Sequence, residues 1–310
     1  MSAPILDKLT RPVVEAATDA LWAQWRTLMP LVSGKGRAAR ALIDPEALLL
    51  GSLGLGGHEQ RLEITAGAWA HLGSRLLSVQ RMKNLARGYP KAVGDRLSSF
   101  ARTALEQGDL RWRSVARGKG QLRARDKDLQ ATVSSHEPAA LVLRLRLGFG
   151  VGIKADVLAY LLGSHGARQT VPAIAVATGY YQRAVRRAVE DLAAGGFLSA
   201  AATSPASYRI NPAAWRELLG FGDEPPVWRP WNVWFSFVSQ LVAWVELQAA
   251  GSGVSDYVIS SRARDFLESQ RPELERTIRL RDARGHVGEE YLDVFEKSLL
   301  DIAEWVRGCA

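Results

Sequence analysis

Cysteine is all but missing from this 310-residue chain: Cys309 is the only one. That excludes an internal disulfide framework and a cysteine-ligated metal centre, and it fits a reducing cytoplasm. Long apolar runs are missing too. The most apolar segment, "VWFSFVSQLVAWVEL" from Val233 to Leu247, falls short of the ~20 residues of a spanning helix and contains Ser236, Ser239, Gln240 and Glu246. It predicts a buried or interfacial helix and no membrane partner. The first residues carry acids early and no continuous apolar stretch, which predicts no signal peptide and a cytoplasmic protein.

Catalytic motifs are equally scarce. His58, His71, His136, His165 and His286 are scattered, with no histidine partner at i+4 and no nearby cysteine, so no metal site is expected. There is no Gly-x-Ser-x-Gly, no Walker loop and no paired-carboxylate motif. The stretch "LRLRLGFGVGIKADVLAYLLG", Leu143 to Gly163, imitates a phosphate loop but fails on spacing. A dinucleotide loop starting at Gly148 wants its third glycine where Ile153 stands, and Lys154 is not followed by Ser or Thr. Ser135, Glu137 and Pro138 read instead as a helix start, so "AALVLRLRL" is expected to be a helix and the glycines a flexible domain hinge. Asp44, Glu46 and Asp156 read as helix-start residues at positive dipole ends. A non-enzyme without cofactor or metal is expected.

Positive charge is abundant and unevenly spread. Residues 1–135 hold 21 Lys and Arg against 12 Asp and Glu, whereas residues 221–310 hold 10 against 15. Such asymmetry suits a polyanion partner for the first two-thirds and a protein partner for the last third; a soluble, arginine-rich protein is the alternative. Helical periodicity and turn residues divide the chain into four parts. These are a basic helical domain over 1–107, a basic linker over 108–135, a central domain over 136–220 and an acidic helical domain over 221–310. The linker, with seven basic and three acidic residues, reads as solvated or as an arm along phosphates. "LLSVQRMKNLARG" is a candidate second helix of an additional helix-turn-helix, with Arg81, Lys83 and Arg87 exposed.

The most specific pattern lies in the central domain. Thr170 caps a short helix whose inward residues are Ile174 and Ala175, and Gly179 supplies a turn without Cβ strain. The next helix, from about Tyr181 to Ala194, turns Val185, Ala188, Val189 and Leu192 inward and Arg183 and Arg187 outward, with Arg186 at the flank. Gly195 and Gly196 stop it. "FLSAAA", "TSPAS" and "YRINP" then read as a two-stranded hairpin, followed by a helix "PAAWRELLG".

This order resembles the winged helix-turn-helix domains of bacterial transcription regulators. The overall arrangement is also similar to regulators encoded beside toxin–antitoxin or antiphage defence genes. Two features depart from the family pattern. Tyr180 stands where a small capping residue is usual, and the wing has no Arg or Lys before Arg209. The resemblance implies a mainly α, multi-domain fold with a central winged helix-turn-helix, and a sequence-specific regulator of transcription, a repressor or autoregulator, that binds double-stranded DNA as a homodimer. Gln182, Arg183, Arg186 and Arg187 are then expected at base edges and phosphates, with Lys154, Thr170 and Arg209 on the backbone and Arg168, Tyr180, Tyr181 and Ser207 completing the surface. Trp231, Trp234, Phe235, Val238, Leu241, Val242 and Val245 share helical spacing and suit a core, a dimer seam or a partner surface. The alternative function is an antitoxin or defence-system module that binds a neighbouring gene's enzyme through its C-terminal helices.

Overall fold

The computed structural model describes residues 3–33, 36–201, 204–222, 225–250, 255–282, 285–286, 288 and 290–309. Ala202 and Thr203 of the expected hairpin and Asp223 and Glu224 of the expected domain boundary lie outside them. The protein is mainly helical. In chain order come α1 (Ala3–Leu28), α2 (Pro30–Ser33), α3 (Pro45–Leu55), α4 (Gln60–Leu72), α5 (Val79–Leu85) and α6 (Lys91–Glu106). Then follow α7 (Leu141–Phe149), α8 (Ile153–Gly163), β1 (Gln169–Thr170), α9 (Val171–Thr178), α10 (Gln182–Ala194), β2 (Ser199–Ala201), β3 (Ser207–Arg209) and α11 (Pro212–Leu219). The chain closes with α12 (Trp231–Ala250), α13 (Asp256–Leu274) and α14 (Glu290–Cys309).

α3 is apolar all round, and a helix of that kind has to be enclosed by others. Asp44 accepts the Ala47 N–H as N-cap, Pro45 opens the helix, and every residue from Pro45 to Leu55 is buried. α12 lies along α3 and α1, and α14 along α1. The approach of α12 depends on Gly54, where a Cβ would stand 2.0 Å from the Ser239 hydroxyl. One hydrophobic core therefore draws on α1, α3, α4, α6, α12 and α14 together. The first and last thirds of the chain, expected as separate domains, are one body.

The stretch 108–135 is not a solvated linker. Trp112, Leu122 and Ala131 are buried in the same core, and Trp112 meets Phe100 edge-on at 5.1 Å. Its few apolar side chains are deep anchors, and its basic residues lie outside them.

A second core comprises α7 to α11 and a small sheet. The sheet has three strands rather than the expected two, in the order β1-β3-β2, all antiparallel. β1 pairs Gln169 with Tyr208 and Thr170 with Ser207. α10 buries Val185, Ala188, Val189 and Leu192.

The aromatic stripe of α12 is spent inside the chain. Trp231, Trp234, Phe235, Val238, Leu241 and Val242 are buried, Val245 is half-buried, and Trp234 packs on Trp305 of α14 with ring centroids 4.4 Å apart. The reading of these residues as a dimer or partner seam is therefore corrected to a core role. No helix among the described residues is long and apolar enough to cross a membrane. Trp234→Ala is expected to lower unfolding free energy by about 3–5 kcal/mol, as for other buried Trp truncations. The wild-type denaturation midpoint should not depend on protein concentration; a concentration-dependent wild-type midpoint would instead restore the dimer seam.

Candidate nucleic-acid interface

Two arginines that sequence reasoning treated lightly fix the position of the central unit. Arg81, expected exposed on α5, is 1% exposed. Its Nη1 donates to Asp44 Oδ1 and Glu46 Oε2, both at 2.6 Å, its Nη2 to Asp44 Oδ2 at 2.5 Å, and its Nε to the Thr178 carbonyl at 2.5 Å. Arg146 of α7 is buried beside it. Its Nε and Nη2 grip Asp156 at 2.8 and 2.9 Å, while Nη1 and Nη2 grip Glu46 at 2.7 and 2.9 Å. A fifth bond from Nη1 reaches the Leu76 carbonyl at 2.8 Å, so all five guanidinium donors are used.

Glu46 in turn accepts four bonds, the fourth from the Ser78 N–H at 2.7 Å. The cluster thus satisfies its buried charges, without which it would be strongly destabilising. Burial pushes the Glu46 carboxyl up, but Arg146 and Arg81 outweigh it and hold the group down to about 2. Burial works against the charge on Arg146 as well, and Asp156 and Glu46 overcome it, leaving the guanidinium more basic than usual. Asp44, Glu46 and Asp156 do sit at helix starts, as expected, but their partners are these arginines.

The cluster joins the two cores. Asp44, Glu46, Ser78 and Arg81 belong to the helical body, and Arg146, Asp156 and Thr178 to the central unit. The Gly148–Gly152 stretch, expected as a flexible hinge, is a corner closed by the Arg146–Asp156 pair. Tyr180 is absorbed here too. Its hydroxyl donates to Asp156 Oδ2 at 2.8 Å and lies 3.1 Å from Ser78 Oγ, and burial raises its pKa. It is corrected from a surface contact to a member of the buried network.

The turn between α9 and α10 is docked on α5. Gly179 is left-handed, with φ +72°, and a Cβ there would stand 2.5 Å from Leu85 Cδ2. Asn84 Nδ2 donates to its carbonyl at 3.1 Å. With the turn held this way, α10 presents Tyr181, Gln182, Arg183, Arg186 and Arg187 to solvent. None of those three arginines has a hydrogen-bond or ion-pair partner among the described residues. No acid stands in the first turn of α10, and no side chain caps its N-terminus. Arg87 Nη1 donates to the Tyr181 hydroxyl at 2.9 Å, bringing one more exposed cation to this end of the helix.

The other expected contacts fare differently. Arg209 is exposed on β3. Arg168 is exposed and reaches the Ser207 carbonyl at 3.5 Å. Thr170 caps α9 by accepting the Ala173 N–H at 3.4 Å. Ser207 is buried opposite Thr170 in the sheet, which removes it from the surface set. Lys154 pairs with Asp191 of α10 at 2.9 Å, and its hydrogen bond holds that carboxyl below its usual range. Among the described residues no group of three or more His, Cys, Asp or Glu side chains is placed to hold a metal ion.

Arg81 and Arg146 were the functional residues least visible in the sequence. One signal was present: "LVLRLRL" sets Arg146 on a helix whose Leu141, Val142 and Leu145 are all core residues, and a cation there requires buried acids. No family model matches the chain, and no curated protein or solved structure is significantly similar to it.

Because the folded value of Glu46 lies below its ordinary 4.5, its stabilisation is complete above that pH and is lost as pH falls towards 2. The gap corresponds to roughly 3 kcal/mol. Glu46→Gln should therefore cost about that much in urea denaturation at pH 7, and the difference from wild type should narrow steadily below pH 4.5. An equal difference at pH 7 and pH 3 would contradict the assignment.

Proposed function

We propose that the protein is a sequence-specific double-stranded DNA-binding regulator of transcription, and that the α8–α11 unit acts as a winged helix-turn-helix with α10 as its recognition helix. The observation that carries this reading is the trio Arg183, Arg186 and Arg187, exposed on the outward N-terminal half of α10 with no hydrogen-bond or ion-pair partner among the described residues, Arg187 meeting only the longer-range field of Asp191. A helix that enters a major groove by its N-terminal end brings arginines to guanine edges and phosphates. Glu190 and Asp191 lie further along α10, where they would repel phosphate, so entry by the N-terminal end is favoured.

Gln182 and Arg183 are assigned to base edges, and Arg186 and Arg187 to the edges and phosphates flanking them. Arg209 and Arg168, on and beside the small sheet, are assigned to the adjacent backbone. Exposed Tyr181 is assigned to packing at the groove rim. The reading is stated for one chain, since the stripe on α12 is enclosed. The partner-capture reading, through the C-terminal helices, loses the α12 stripe, which is enclosed, and is not favoured.

Arg183→Ala combined with Arg187→Ala is expected to weaken binding to duplexes selected from a random pool by at least tenfold, since each base-edge contact is worth about 1–3 kcal/mol. Far-ultraviolet circular dichroism should be unchanged, because both side chains are exposed. Unaltered affinity in a mobility-shift assay at fixed salt would sink the proposal.

A further inference from the structure

Beside α10 lies a second feature that the recognition helix does not account for. A solvent-open groove of about 850 Å³ runs between the start of α6 and the segment 114–120. Lys83, Arg87, Lys91 and Arg117 line it, against a single acid, Asp95. None of these four cations has an ion-pair partner among the described residues. In the buried cluster both guanidiniums are held by carboxylates, whereas none of the groove's four cations is.

The groove walls are built rather than incidental. Ser98 of α6 accepts the Arg117 N–H at 2.6 Å and donates to the Arg117 carbonyl at 2.8 Å, clamping the segment to the helix. Arg102 adds a bond to the Gly118 carbonyl. The N-terminus of α6 opens into the groove at Pro90 and Lys91, with no side-chain cap and no acid in its first turn. Its positive dipole end therefore adds to the four side chains. Arg87 links the groove to α10 through its bond to Tyr181.

We propose that this groove binds the sugar-phosphate backbone of the same duplex, beyond the segment read by α10. The inference rests on the DNA-binding reading above and extends it: α10 supplies discrimination, and the groove supplies sequence-independent affinity. An open, basic trough joined to the start of the recognition helix by the Arg87–Tyr181 bond suits a strand passing across it. Phosphate neutralisation there releases counterions, which makes affinity depend on salt by about 0.9 in the logarithmic slope for each contact.

The test uses the full-length protein, a fluorescently labelled 40-base-pair duplex and a salt titration. Three proteins are compared with wild type: a triple variant Lys83→Ala, Lys91→Ala, Arg117→Ala; the single variant Asp95→Asn; and the α10 variant Arg183→Ala, Arg187→Ala. Arg87 is left alone because it also holds Tyr181. The triple variant should bind at least tenfold more weakly, with a slope shallower by about two to three, while its ratio of selected to random duplex stays at the wild-type value. Asp95→Asn should bind more tightly, an outcome that misfolding cannot produce.

A triple variant with wild-type slope and affinity, alongside an impaired α10 variant, overturns the groove and leaves the regulator reading standing. The reverse pattern, a weakened triple variant and an unchanged α10 variant, supports the groove and overturns α10 as the reader. No duplex binding by wild type overturns both.

Discussion

The placement of α10 on this protein's surface depends on one buried knot of charge, in which Arg81 and Arg146 are shared among Asp44, Glu46 and Asp156. Its members come from the start of α3, from α5, α7 and α8 and from the end of α9, so it forms only when both cores are assembled. Such a knot adds less net stability than its short bonds suggest, since ions stripped of water lose hydration that the pairing only partly returns. Its larger effect is on specificity of arrangement. Removing one partner leaves an uncompensated charge, and any sliding of one core over the other would do the same. The two cores are thereby held in one register.

That register sets up the exposed surface. Arg81 holds the Thr178 carbonyl, Asn84 holds the Gly179 carbonyl and Tyr180 is anchored on Asp156, so the chain enters α10 along a fixed line. The consequence is a helix whose first two turns point their arginines outward with no hydrogen-bond or ion-pair partner among the described residues. The same placement brings Arg87, which lines the groove beside α6, against Tyr181 at the start of α10. In the buried knot two guanidiniums are shared among three carboxylates, and the cations of α10 and of the groove that lack ion-pair partners lie on stretches of surface joined by the Arg87–Tyr181 bond. A long polyanion matches that distribution better than a small ligand does.

Much of the local structure was legible in the sequence. Asp44-Pro45-Glu46 marked the start of α3, Ser78 the start of α5 and Thr170 the start of α9, because caps act within a few residues. The inward face of α10 followed from its 3.6-residue period. Contacts between distant residues were not legible. Arg146 and Glu46 are 100 positions apart, and no periodicity reports such a pair. The seven basic residues of 108–135 concealed Trp112, Leu122 and Ala131, which are few but fully enclosed. Helical spacing revealed the stripe on α12 but cannot distinguish a neighbouring helix of the same chain from a second chain. β1 is two residues long, too short for an alternation to be read.

The most direct measurement is arginine-specific modification by phenylglyoxal, read residue by residue by mass spectrometry, with and without duplex DNA. Arg81 and Arg146 should be unreactive in both states. Arg183, Arg186 and Arg187 should react freely alone and be protected by DNA. Protection confined to arginines of α13 and α14, with those of α10 still reactive, would contradict the reading of α10 as the DNA-binding helix.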